Sequence, residues 1–265
     1  MTLSELNAYL HREIEAFPGQ TSLLVSDPLS PEPLHAWQET LRVPSASTIK
    51  TPILLTALEQ VRQGMLSLTD PMTVSPDCVL PDTEVFDRGE SVYSLGELLY
   101  WMIVESDNTA TNVILDALGF DAVNEYCAMI LGLENTLCQR KMLDFAAAQA
   151  GLDNFTSAAD QRRLFSLLHG GQILNPGLRK IALSILCRQR SMDCMLRYIP
   201  DAVEVAHKTG GLNGVAHDCG LFLLPRRPLF VGIFTWDGPS PDGDPGQKRY
   251  IGRLAKAVYD FYKEV

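Results

Sequence analysis

The chain has 265 residues, 46% of them hydrophobic and 20% charged, with a formal net charge of −10. That is enough apolar material for a sizeable core in one large domain or two intermixed ones. Ordinary Gly and Pro counts and only six cysteines exclude collagen-like, disordered and disulfide-scaffold classes. The acid surplus, with only seven lysines and no long basic run, argues against a nucleic-acid partner.

Residues 1–17 carry Leu3, Leu6, Leu10, Ile14 and Phe17 at helical spacing, which predicts an amphipathic helix. Glu5, Glu13 and Glu15 interrupt any apolar core there, so the stretch lacks the basic start and greasy middle of a signal peptide. The expectation is a cytoplasmic protein, the alternative being one exported by a signal no longer in the sequence. Cys78, Cys127, Cys138, Cys187, Cys194 and Cys219 form no C-x-x-C pair and are expected to be free thiols. The histidines show neither H-E-x-x-H nor H-x-H, so no metal is expected. No uncharged apolar run reaches the roughly 18 residues that would span a bilayer, so no membrane is expected either.

Residues 21–26 and 34–37 read as short strands around the turn Asp27-Pro28-Leu29-Ser30-Pro31. Helical spacing follows over 53–64, 95–105, 110–118, 158–169 and 175–188. The period then changes: 214–224 and 228–236 are strand-like, 238–246 is a loop, and 247–265 is a closing helix. Strands at both ends with helices between them predict an α+β fold. Its antiparallel sheet would be flanked by the terminal helices, with an all-helical lobe inserted. As a single domain, its sheet lobe would take 1–45 and 190–265, its helical lobe 46–189, with a site at the seam.

Three short motifs carry chemistry. In Ser47-Thr48-Ile49-Lys50 the serine and lysine share a helix face, and a helix start at Ser47 places its hydroxyl at the positive end of the dipole. Burial would lower the lysine pKa and let its amine accept the serine proton. Pro52 sits late for a first turn, so a tightened or kinked opening is expected. Alone the motif is weak, and a serine cap with a solvated lysine is its better explanation. Ser106-Asp107-Asn108 follows a buried apolar helix, the plain alternative being a helix stop and a new N-cap. Lys208-Thr209-Gly210-Gly211 puts a cation and a hydroxyl on a strand, before two glycines that allow close backbone approach. A bulge with a surface lysine is its plain alternative.

Together, in this order and each in its required setting, S-x-x-K, S-D-N and K-T-G resemble the serine penicillin-recognising enzymes, most closely the class A β-lactamase family. The resemblance extends through Thr109-Ala110-Thr111-Asn112 and covers essentially the whole chain. It implies that Ser47 is the acylated nucleophile, Lys50 its activating amine and Ser106 the proton relay to the leaving nitrogen. It implies that Asn108 binds the substrate amide, that Lys208 and Thr209 face the substrate carboxylate, and that the Gly211 N–H joins that of Ser47 in an oxyanion hole. Such donors contribute about 3 kcal/mol each. No cofactor is implied.

Two departures stand out. With Arg140 on the family's Ω-loop arginine, Met142 falls where the family's water-activating glutamate belongs. Asp144, the nearest acid on the C-terminal side, is the candidate replacement, with a turn-capping role as the alternative. His217 stands in register for an arginine that many relatives use on the carboxylate, and is expected to charge as pH falls through about 6.5. The reading is therefore a serine hydrolase acylated by a β-lactam or a related acyl amide or ester, with slow release. A D-amino-acid peptidase or esterase, and a non-catalytic penicillin-binding sensor, are the rivals. The only partner expected is a small-molecule β-lactam or acyl-amide substrate, and a monomer is the default.

Overall fold

The computed structural model describes residues 1–86, 91–241 and 245–263. Helix α1 (Leu3–Ala16) opens on a Thr2–Glu5 capping box and buries Leu6, Leu10 and Ile14. Strands β1 (Gln20–Ser26), β2 (His35–Trp37) and the two-residue β3 (Val43–Pro44) follow. A tight 3₁₀ turn over Ala46–Ile49 leads into α2 (Lys50–Arg62). Because the α-helix begins only at Lys50, Pro52 falls within its first turn, where its missing N–H costs no bond.

The hairpin of β4 (Pro71–Val74) and β5 (Ser91–Ser94) precedes α3 (Leu95–Val104), α4 (Asn108–Leu118) and α5 (Phe120–Glu125). A loop region holding the short α6 (Phe145–Gln149) then leads to β6 (Phe155–Thr156), α7 (Ala158–His169) and α8 (Pro176–Leu186). The chain closes with β7 (Val205–Leu212), β8 (Val215–Phe222), β9 (Leu229–Trp236) and α9 (Pro245–Tyr262). Of the loop expected over 238–246, residues 242–244 lie outside the described residues, as do 264 and 265 of the expected closing helix.

The main sheet is antiparallel in the order β2-β1-β9-β8-β7. Side chains alternate across it, as the pleat requires. Leu229, Val231 and Ile233 of β9 meet Leu6, Leu10, Ile251 and Leu254 of the terminal helices. Phe230 and Phe234 on the opposite face join Phe165 of α7 and the long core built from α2, α3 and α4. All six cysteines are free thiols. Among the described residues no helix is long and apolar enough to cross a membrane.

Two close contacts position the cleft. β3 pairs with β6, and Ser45 N–H donates to the Asn154 carbonyl at 2.8 Å, which ties the turn before Ser47 to the end of the loop region. On the other side β7 presses against the same turn. A Cβ on Gly210 would lie 3.0 Å from the Ala46 Cβ and 3.1 Å from the Ser47 nitrogen, so a side chain there would push the turn back by a few tenths of an ångström.

Candidate active site

Ser47 sits on the 3₁₀ turn one turn before Lys50 and lines the cleft. Its predecessor Ala46 holds φ at +45°, a conformation that costs a non-glycine residue energy and that surrounding structure must enforce. Thr48 locks the turn, its hydroxyl donating to the Ser45 carbonyl at 2.7 Å.

Lys50 is fully buried at the start of α2. Its Nζ donates to the Ser106 carbonyl at 2.5 Å, the Ser106 Oγ at 3.2 Å and the Asn108 Oδ1 at 2.7 Å. Lys208, also fully buried, reaches the same Ser106 Oγ at 3.0 Å and its neighbour's carbonyl, that of Thr209, at 2.9 Å. Burial, and then the nearby Lys208 charge, push the Lys50 amine well below the ordinary lysine range, against Asp107 and Asp82. Burial likewise lowers Lys208, to about 7, with Asp218 opposing. With both lysines donating to it, the Ser106 hydroxyl keeps its own proton for a group in the cleft. Ser106 is held at φ +56°.

The S-D-N triplet serves both readings of it at once. Asp107 is the N-cap of α4, its Oδ1 accepting from Ala110 N–H at 2.7 Å. Ser106 and Asn108 on either side turn to the lysines. Asn108 also donates from Nδ2 to Asp82 Oδ2 at 2.6 Å.

The cleft has two connected cavities of about 210 and 260 Å³ that share Ser47, Asp82, Asn108 and Gly211. Thr209, Gly210 and Ser106 line the second. Ser47, Lys50, Ser106, Asn108, Lys208, Thr209 and Gly211 are thus brought together.

His217 requires correction. It borders the second cavity, but its side chain is fully buried and both ring nitrogens are occupied. Nε2 lies 2.7 Å from the Pro44 carbonyl, and Nδ1 lies 2.8 Å from the Ala216 carbonyl and 3.1 Å from the Thr235 nitrogen. Burial lowers its pKa to about 4, so it does not gain charge near 6.5 as expected. The cation the sequence reading missed in this cavity is Lys248, near the start of α9, paired with Asp193 at 2.8 Å. Its spacing in a helix of mixed charge gave no signal.

Asp144 is also placed otherwise than a water-activating base requires. It is exposed, caps α6 through the Ala147 N–H at 2.9 Å, and is absent from the cavity lining that holds its neighbours Leu143 and Phe145. Met142 does face the first cavity. Its backbone is clamped by Asn112, which accepts from Met142 N–H at 2.7 Å and donates to its carbonyl at 3.2 Å. Arg140 pairs with Asp153 at 2.7 Å, and the buried Asn154 accepts from the Gln139 and Arg140 N–H groups, closing the base of the loop.

Comparison with known proteins places this geometry. The model of the beta-lactamase enzyme family matches residues 5–262. The extended-spectrum beta-lactamase PER-1 of Pseudomonas aeruginosa is 24% identical over 83% of this chain and 75% of its own length. A beta-lactamase from Chitinophaga pinensis superposes with a TM-score of 0.89 at 20% identity, over 97% of this chain and 99% of that one. PBP-A superposes with a TM-score of 0.87 at 28% identity, over 99% and 97% of the two chains. A leucine-to-glutamate variant of PBP-A has been solved as an acyl-enzyme complex with penicillin G.

Proposed function

The chain belongs to the beta-lactamase enzyme family, and from that premise we propose that it is a serine hydrolase acylated at Ser47 by β-lactams or related acyl amides, and that it releases the acyl group slowly. The observation that carries the reading is the Ser106 hydroxyl held between two buried lysine amines, at 3.2 and 3.0 Å, in the wall of the cleft that Ser47 lines.

The steps follow from the chemistry of these groups. Burial favours a neutral Lys50 amine; losing its third proton, the amine gives up one of its three donated bonds, and the lone pair so freed takes the Ser47 proton as Oγ attacks the carbonyl carbon. The Ser47 and Gly211 N–H groups receive the oxyanion as it forms. Lys50 returns the proton through Ser106 to the leaving nitrogen as the amide bond breaks, which leaves an ester on Ser47. Lys208 and Thr209 hold the substrate carboxylate, with Lys248 bordering the same cavity.

Water must then attack the ester, and a positioned base typically accelerates such a step by about 10²–10⁴-fold. Met142 has no basic group, and Asp144 is committed to a cap. This wall also supports the reading of a penicillin-binding sensor, in which one acylation is the functional event. Labelling with a fluorophosphonate tests the nucleophile. Wild-type protein should be labelled once and Ser47→Ala not at all, whereas labelling of the variant at another residue would remove Ser47 from its role.

A further inference from the structure

The first cavity presents one carboxylate that the scheme above does not use. Asp82 lines both cavities, and its position is fixed from either side. The Leu80 N–H donates to the Thr109 hydroxyl at 2.9 Å, and the Thr83 hydroxyl donates to Asp107 at 2.5 Å. The intervening residue is thereby anchored over the start of α4, where Asp82 accepts from Asn108 Nδ2 at 2.6 Å.

Charges elsewhere around the cleft are compensated. Arg140 is paired with Asp153, Asp193 with Lys248 and Glu105 with Arg190. Among the described residues no cation makes an ion pair with Asp82, although its charge is felt by the buried Lys50 amine. Across the first cavity, beside Arg140 and Asn154, Met142, Leu143 and the exposed ring of Phe145 form an apolar patch. The acyl side of the cleft therefore offers an apolar surface and, at its other edge, a negative charge bonded to the very amide proposed to hold the substrate's acyl amide.

Resting on the acylation of Ser47, we infer that the preferred acyl group carries an apolar substituent and an ammonium on the carbon next to its amide carbonyl, with Asp82 as the counter-charge. A substrate amide seated on Asn108 brings an α-ammonium to Asp82, while its apolar substituent lies against Met142 and Phe145. A neutral acyl group leaves the exposed carboxylate to water.

The test uses two penicillins that differ at that carbon alone, one with a phenylacetyl and one with an α-aminophenylacetyl side chain. Acylation rates are measured by intact-protein mass near pH 6, below the usual α-amino range of about 7.7–8.0. The ratio of aminated to neutral acylation should fall about fivefold in Asp82→Asn, the scale of an exposed ion pair. It should return with Asp82→Glu and shrink in the wild type at high salt. Labelling by both penicillins with an unchanged ratio would overturn this inference alone. An equal slowing of release for both in Asp82→Asn, with the acylation ratio unchanged, would also overturn it and make Asp82 a base for water. Labelling by neither would remove the acylation reading, and this inference with it.

Discussion

The two walls of the cleft are built on opposite chemistry. One, made by the turn at Ser47, the S-D-N loop and β7, buries two lysines whose amines converge on one hydroxyl. The other, made by residues 142–145, presents a thioether, an isobutyl group and a phenyl ring, and spends its one acid on a helix cap. Burying two amines together is tolerable only because desolvation shifts both toward the neutral form, and that same shift is what the proposed role of Lys50 as a base requires. The first wall suits attack on a carbonyl. The second offers no base placed to activate water at residues 142–145, so under the proposed scheme forming the ester and clearing it become separable.

The contrast is most sharply broken by removing the base from the first wall. Lys50→Ala should slow acylation of Ser47 by about 10²-fold or more, measured as the rate of adduct formation. Acylation at the wild-type rate would show that another group takes the serine proton.

Restoring a base to the second wall should work in the opposite direction. Met142→Glu is expected to raise release of the acyl group by about 10²-fold, read from the decay of the adduct. Asp144→Asn should leave release unchanged, because that carboxylate serves Ala147 N–H. A variant that destroyed turnover at Asp144 would reverse the comparison of the walls.

His217 sharpens the account of the first wall through pH. Its folded-state pKa of about 4 lies below the ordinary imidazole value, so the folded protein binds fewer protons than the unfolded chain between them. Stability from this group is therefore complete above about pH 6.5 and is lost as pH falls toward 4, by up to about 3 kcal/mol. Chemical denaturation across this window should show a decline in the wild type that is smaller in His217→Gln. Equal slopes would mean that the imidazole is not the buried neutral group described.

Lys208 carries the smallest of these effects. With its amine lowered to about 7, preference for carboxylate-bearing over neutral ester substrates should weaken as pH rises through that value. Lys208→Ala should reduce the preference about tenfold, the scale of one charge-assisted bond. Equal losses for both substrate classes would assign Lys208 to proton transfer.

The polar wall was largely legible in the sequence because its groups come as contiguous motifs whose spacing is set by a helix turn, a helix end and a strand. The terminal helices and the strands of the sheet were legible for the same reason, since each buries one face at a fixed period. Ser47 on a 3₁₀ turn was foreshadowed by Pro52. Less visible was whatever depends on distant segments meeting. Asp82 enters the cleft only because Leu80 and Thr83 bond to α4, and Lys248 only because α9 lies beside β8. His217 matched a family position in register, yet its burial behind Pro44 and Thr235 decides its charge, and no local pattern encodes that. Asp144 precedes a short alanine-rich helix, and there the cap prevailed over the catalytic alternative.

Intact-protein mass followed over time after addition of a penicillin tests the separation of the two walls most directly. The expected course is rapid gain of one acyl mass, absent in Ser47→Ala, followed by slow decay accompanied by weak steady turnover. Rapid steady turnover with no accumulated adduct, or no adduct and no turnover at all, would contradict it.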